Sequence, residues 1–320
     1  MNTQTAVRKL HTREPGLYGS DLKLIALLTM IIDHTGAGLI KFMPGIQDTE
    51  SIIYAVYWLL RIIGRLAFPI FCFLIVEGIS HTRNKYRYAL RMFIFGVISE
   101  IPFDLALYNS RFDWKHQNVF FTLALGIICL TVFELIREHN CHLENTSKWA
   151  IAFLKYETLI LVPIYLSYRS VSYIHKYTTI ALREIFLYIV MYIIGFLFLY
   201  GVLTNISNKQ GNTNALVSCI DISTLVLAML ISDLAHTDYA SVGVLTIAVM
   251  YLLRNNLYRQ ITSGCAVLAA LLNPVELATF ATVPLVLKYN EKRGYNIKLL
   301  FYVIYPLHLL IIYVIRRQIL

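Results

Sequence analysis

Charge is scarce in this sequence. Only 15% of its 320 residues are Asp, Glu, Lys or Arg, against about 25% in a water-soluble globular protein. That scarcity excludes a disordered regulator, which stays unfolded by being polar, and a nucleic-acid binder, whose affinity comes from a dense basic face. A secreted soluble enzyme is excluded as well, because such a chain cannot cover itself in water-compatible groups. A cysteine framework is also missing. The five cysteines, Cys72, Cys129, Cys141, Cys219 and Cys265, are odd in number, widely scattered and set mostly in apolar stretches, so neither a disulfide scaffold nor a CxxC metal site is encoded. They read as packing residues. There is no internal repeat, no low-complexity tract and no polar stretch long enough to fold as a soluble domain.

What fills the chain is apolar mass: 58% hydrophobic residues, with 22 Tyr and 17 Phe, and a mean hydropathy of +0.61. Stretches about long enough for a bilayer core of about 30 Å recur at 22–42, 52–80, 88–108, 118–136, 149–168, 183–203, 215–232, 240–254, 260–273, 275–288 and 297–316. They are apolar throughout and lack the period-two alternation of membrane β-strands. The expected fold is therefore all-α, a polytopic transmembrane bundle of about 9–11 helices forming one domain over 1–320 in the cell membrane. Residues 1–21 read as a cytoplasmic N-terminal segment. The first apolar stretch follows without a small-residue cleavage site, so it is a span and not a signal peptide.

The 28 Lys+Arg against 19 Asp+Glu give a net charge of +9, which in a membrane chain reads as loop charge held on the cytoplasmic side. Two connections are strongly basic, 81–91 and 288–298, and an even number of expected spans separates them. Both are therefore expected in the cytoplasm. Arg169, Lys176 and Arg183, with Arg316 and Arg317, fall on the other side and run against the bias.

Ionisable residues inside a bilayer are costly and mark function by default. Asp33 and His34 stand near the middle of the first span. Adjacent helical residues point about 100° apart, so one is expected to anchor to a neighbouring helix while the other faces a cavity; a buried imidazole is a natural general base. Arg61 and Arg65 share a helix face four residues apart. Pro69 cannot donate to the carbonyl of residue 65 and should bend the helix there, which makes Arg65 a partner for Asp33, either as a buried salt bridge or as a donor to a developing oxyanion. Glu77 and His81 follow near the cytoplasmic end.

Glu100 and Asp104 flank Pro102. A lone carboxylate pair on a helix is weak evidence for a metal, and no metal is expected. With Trp114, His116, Gln117, Asn118, Asp238 and Tyr239, they gather hydrogen-bonding groups on the outer face, fit for an extracytoplasmic substrate or simply for helix caps and interfacial aromatics. The cytoplasmic face carries His81, Arg83, Asn84, Lys85, Arg87 and Arg91, with Lys288, Lys292 and Arg293 opposite. These suit a phosphate-rich molecule such as a nucleotide or coenzyme A, and positive-inside bias accounts for them equally. A base at the midplane, an arginine beside it, phosphate-compatible charge inside and polar groups outside suit acyl transfer across the bilayer.

Several strings in order carry a resemblance: 22–34 (LKLIALLTMIIDH), 64–71 (GRLAFPIF), 76–78 (VEG), 81–84 (HTRN), 98–104 (ISEIPFD), 117–122 (QNVFFT), 237–239 (TDY), 243–245 (GVL), 289–294 (YNEKRG) and 301–308 (FYVIYPLH). In these the chain resembles the TraX family over roughly 20–135 and 235–315. The resemblance implies an integral-membrane acetyltransferase, after the conjugal-transfer protein that N-acetylates pilin, taking acetyl-CoA from the cytoplasm and modifying an acceptor on the other side. His34 then carries over as catalytic base, Asp33 and Arg65 as its electrostatic partners, and His81, Arg83, Asn84, Lys292 and Arg293 as positions facing coenzyme A. Glu77, Glu100, Asp104, Asn118, Asp238 and Tyr239 are the expected substrate-facing groups. Two departures stand out. Residues 140–235 are longer than the family suggests, as if variable helices were inserted, and Glu291 occupies a position where the family usually has glycine.

The acceptor is left open among peptide, polysaccharide and lipid, with membrane lipids as neighbours and no nucleic acid. Two rival readings are a proton-coupled transporter using Asp33, His34 and Glu77 as a relay, and a non-catalytic assembly factor.

Overall fold

A computed structural model of the chain describes residues 16–138, 148–177, 184–296 and 298–320. Cys141, Arg183 and the first 15 residues of the N-terminal segment lie outside them. The described chain is helical without a strand. Its helices are α1 (Gly19–Gly38), α2 (Ile52–Gly64), α3 (Ala67–Ser80), α4 (Lys85–Leu107), α5 (Val119–Glu138), α6 (Lys148–Tyr177), α7 (Glu184–Gln210), α8 (Asn212–Leu234), α9 (Ala240–Leu252), α10 (Leu257–Leu271) and α11 (Lys298–Ile319). A 3-10 stretch, Pro274–Thr282, runs into a single α turn between α10 and α11. Among the described residues seven segments are long and apolar enough to cross a membrane, so this is a multi-pass membrane protein.

Local chemistry sets the helix ends. Asn84 and Asn256 cap α4 and α10, each side-chain oxygen accepting the backbone N–H three residues on, at 2.9 and 3.0 Å, which satisfies an otherwise orphaned donor. The expected bend in 52–80 is a break: α2 ends at Gly64 and α3 begins at Ala67, with Pro69 in the first turn of α3, where a missing N–H costs nothing. The expected span at 275–288 differs in kind. Pro274 precedes it and Pro284 stands inside it, and it is mostly 3-10.

One core joins α1, α3, α4, α5, α9, α10 and α11 and takes in Tyr165 of α6 and Ala228 and Met229 of α8, with Phe73, Phe120, Leu123, Ile127 and Tyr251 fully buried in it. Helices α6, α7 and α8 keep a small core of their own around Leu159, Val162, Leu199, Leu203 and Cys219. Of the segment expected to hold inserted helices, α7 lies farthest from the core, almost none of its apolar stretch being buried within the protein. Cys72, Cys129, Cys219 and Cys265 are all buried and free.

The two basic connections meet at one end of the bundle. Residues 16–20 are laced to the connection before α11 by backbone bonds, Leu17 N to Lys288 O at 2.8 Å, Asn290 N to Leu17 O at 3.0 Å and Gly19 N to Lys292 O at 2.8 Å. Two of the cations that run against the charge bias, Arg169 and Arg316, make contacts within the protein. Arg169 approaches Asp233 at 3.5 Å. Arg316, buried on α11 at the opposite end, donates to the carbonyls of Gly38, Ala106 and Leu105 at 3.1, 2.7 and 2.7 Å, reaches the Asn109 side chain at 3.2 Å, and lies over the Phe42 ring. It closes the C-terminal ends of α1 and α4, whose last carbonyls have no partner within their own helices.

Arg316→Met strips these carbonyls of their donor, at about 1–3 kcal/mol for each buried acceptor left unmade. Thermal unfolding in detergent should show a clear loss of stability, with Arg316→Lys recovering only part because an ammonium lacks the guanidinium fork. An unchanged midpoint for Arg316→Met would remove Arg316 as a structural clasp.

Candidate active site

Asp33 and His34 diverge on α1 as helical geometry requires. Asp33 receives Arg61 Nη1 on Oδ2 at 2.5 Å and Arg65 Nη2 on Oδ1 at 2.9 Å. Arg65 continues the chain through Nη1 to Glu276 Oε1 at 3.0 Å, and its Nε donates to the carbonyl of Arg61 at 3.1 Å. Charges therefore alternate from α2 to α1, back to the α2–α3 break and on to the 3-10 stretch, with Arg65 8% and Glu276 1% exposed. The arrangement needs Gly64, because a side chain there would collide with the Asp33 carboxylate. All three guanidinium nitrogens of Arg65 are engaged, so Arg65 anchors both acids.

His34 turns instead to α11. Its Nδ1 lies 2.7 Å from Nε2 of His308, with the two rings within 4° of parallel, and His308 Nδ1 lies 2.8 Å from the carbonyl oxygen of Ile304. Tyr305 sets its ring edge-on to both imidazoles. Both histidines are buried.

Two cavities open at opposite ends of the bundle. The one at the basic end, about 420 Å³, is walled by Lys23, Glu77, His81, Arg91, Glu291 and Arg293, with Phe71 and Phe301 at its apolar side. The other, about 390 Å³, is walled by Tyr108, His116, Arg169, Asp238 and Tyr239. From the first, rings in contact lead inward: Phe71 to Phe301, Phe301 to Phe120, Phe120 to Tyr305, and Tyr305 to His34, with centroid spacings of 5.2, 5.9, 4.6 and 5.8 Å. At the second, Tyr239 stacks on Phe68 at 3.7 Å.

The expected site residues separate accordingly. Asp33 and Arg65 pair with each other, whereas His34 turns to His308, so neither is the direct partner of His34 that was expected. His81 and Arg293 line the basic cavity. Arg83 is exposed, Asn84 is spent on its cap, and Lys292 contributes its backbone to the lacing of residue 19. Of the substrate-facing groups, Asp238 and Tyr239 line the opposite cavity, whereas Glu77 lies in the basic one, 4.0 Å from His81. The groups of a proton relay are thus divided between two places. Glu100 and Asn118 bond to each other, Asn118 also donating to Gly96 O at 2.8 Å and capping α5 through Phe120 N at 3.1 Å. Asp104, fully buried, accepts the backbone N–H of Asp113 at 2.8 Å. These three hold the α4–α5 connection in place.

Backbone strain gathers at both cavities. His236, Tyr239 and Ala240 all have positive φ, at 52°, 61° and 44°, in the turn that pairs with the 117–118 backbone through Gln117 N to His236 O at 3.0 Å and Asp238 N to Gln117 O at 2.8 Å. Such strain is retained where the surroundings fix it, often at functional sites. Burial pushes the Asp238 carboxyl up to about 6, against the pull of the nearby Arg65. Glu291 has φ 61°, which explains why glycine is at home in that position.

Sequence reading missed His308 and Glu276 as site residues, and noted Arg61 without placing it there. Glu276 is the single charge in an apolar stretch, the same signal that singled out Asp33. His308 carries no such signal beyond its place at the end of the 301–308 string.

Removing Arg65 leaves the buried Glu276 without its cation and Asp33 with Arg61 alone. Arg65→Met should cost about 3–5 kcal/mol, read as a lowered midpoint of chemical or thermal unfolding; a loss under 1 kcal/mol would mean that Glu276 does not depend on Arg65 for its burial. Conversely, Glu291→Gly relieves a left-handed conformation worth about 1–2 kcal/mol in a non-glycine residue and should raise stability. A lowered midpoint would show that the Glu291 side chain outweighs its strain.

The profile of the TraX protein family matches residues 18–190 and 179–316, two pieces that overlap around the α6–α7 connection. The probable fimbrial assembly protein FimC, serogroup H1, of Dichelobacter nodosus is 36% identical over 118 residues, a match that covers 35% of this chain and 44% of that protein, under half the length of either. No solved structure matches the chain. The ordered motifs, the helical membrane fold and a profile match running through nearly all of the described chain agree: the protein belongs to the TraX family.

Proposed function

We propose that the protein is a membrane-embedded acyltransferase that moves an acetyl or similar acyl group from cytoplasmic acyl-CoA to an extracytoplasmic acceptor. The observation that carries this reading is the pair of cavities at opposite ends of one bundle with a buried histidine pair between them. A transporter also needs two-sided access, but it does not need a phosphate-compatible cavity at one end or an acid–base residue beside an aromatic path.

The basic cavity offers Lys23, His81, Arg91 and Arg293 to the phosphates of the donor, and charge-assisted bonds to phosphate are among the stronger polar contacts. Its Phe71–Phe301 side would take the pantetheine arm, directing the thioester inward along the ring contacts. An acceptor hydroxyl or amine would enter past Asp238 and Tyr239. His34 removes its proton as the oxygen or nitrogen attacks the thioester carbonyl; the tetrahedral adduct collapses, the C–S bond breaks, and the departing thiolate takes the proton from His34. Asp33 is held by two arginines, so its part is to fix α1 against α2 and α3. A relative named as a fimbrial assembly protein puts a pilus-subunit peptide among the acceptors to test, beside polysaccharide and lipid.

Purified protein in lipid nanodiscs should bind labelled acetyl-CoA and pass the label to an acceptor in a membrane extract. His34→Ala should keep donor affinity while losing transfer by about 10²–10⁴-fold, the usual contribution of a general base. Label retained on washed wild-type protein would indicate an acyl-enzyme on the way. If wild type neither binds nor consumes the thioester, the acyltransferase reading falls.

A further inference from the structure

The hydrogen-bond chain through α11 determines which nitrogen of His34 is free. A carbonyl oxygen can only accept, so the 2.8 Å contact of His308 Nδ1 with Ile304 O places a proton on that Nδ1. In a neutral imidazole the other nitrogen then carries the lone pair. That nitrogen, His308 Nε2, faces His34 Nδ1 at 2.7 Å. Two lone pairs, or two protons, cannot face one another at this distance. His34 Nδ1 therefore donates, and Nε2 of His34 is left bare. The rings lie within 4° of parallel, which aims an in-plane N–H at an in-plane lone pair, and the Tyr305 ring set edge-on against both imidazoles restricts their rotation.

We infer that His308 is a positioning residue that holds His34 in its Nδ1–H tautomer, so that Nε2 is the nitrogen presented as base. This rests on His34 being the base, as proposed above. When His34 accepts a proton at Nε2, its Nδ1–H continues to donate to His308, and the new positive charge is shared with a neutral acceptor already in place. The logic is that of a base oriented by a third group, with an imidazole backed by a main-chain carbonyl in the orienting position. Without His308, both tautomers of His34 and both of its ring flips become accessible, and only a fraction of molecules present a lone pair correctly.

The test uses the full-length protein labelled with ¹⁵N-histidine in lipid nanodiscs, with the His34 signals assigned from a His34→Gln sample. In wild type at neutral pH, Nδ1 of His34 should be protonated and Nε2 unprotonated. His308→Leu should shift His34 to a tautomer mixture, and His308→Gln, whose amide oxygen can accept the same N–H, should restore the wild-type pattern at least in part. In transfer assays His308→Leu should lower kcat by about 10–100-fold, the usual cost of losing an orienting partner, with KM for acetyl-CoA little changed and part of the rate returned by His308→Gln. A proton on Nε2 of His34 in wild type overturns the proposal even if neither variant folds, and so does an unchanged tautomer in His308→Leu. If the tautomer behaves as expected but wild type transfers no acyl group, the acyltransferase reading fails while the assignment of His308 stands.

Discussion

The bundle is organised by the need to neutralise Arg65. A guanidinium far from water is tolerable only when acids and acceptors surround it, since an unmatched buried charge costs several kcal/mol. Asp33 and Glu276 meet that need from two other segments, and Arg61 completes the alternation on the far side of Asp33. The consequences spread outward. Gly64 must lack a side chain for α1 and α2 to approach, the helix must break at Arg65 for the guanidinium to reach two acids, and α1 must keep Asp33 facing α2. With Asp33 so fixed, His34 can face only α11. The position of the histidine pair is thus a result of a salt-bridge network that does not contain it.

The two ends of the molecule solve different problems around that centre. At the basic end, cations gather around a cavity with one aromatic side. At the opposite end, a strained turn from His236 to Ala240 is tied to the start of α5, and buried carboxylates are used on backbone groups and an amide. The ring contacts from Phe71 to Tyr305 span the interval without any charge. A lone charge at this depth would need a partner, so aromatic side chains are the economical lining for a path that must also pack as core.

Much of this was written in the sequence because lipid allows few exceptions. A charge in an apolar stretch needs an opposite charge, which made the Asp33–Arg65 pair readable; the rotation between successive residues gave the divergence of Asp33 and His34; Pro69 gave the break. What stayed hidden depends on register. That Glu100 is spent on Asn118 follows from how α4 meets α5 where Gly96 lies against Phe120 and Phe121, and a single sequence does not specify that contact. The pairing of His34 with His308 joins residues 274 positions apart. The 3-10 form of Pro274–Thr282 likewise reflects neighbours more than composition, since its apolar content alone suits a helix.

The sequence separations in the polar centre also imply an order of assembly as the chain leaves the ribosome. Asp33 meets its cations 28 and 32 residues on, so a hairpin of the first two helices can enter the bilayer with its acid already matched. Arg65 waits 211 residues for Glu276, and His34 waits 274 for His308. The helix that brings His308 also brings Arg316, which closes the ends of α1 and α4. The histidine pair is therefore among the later contacts of the described chain to become possible, and until α11 is in place His34 lacks its partner.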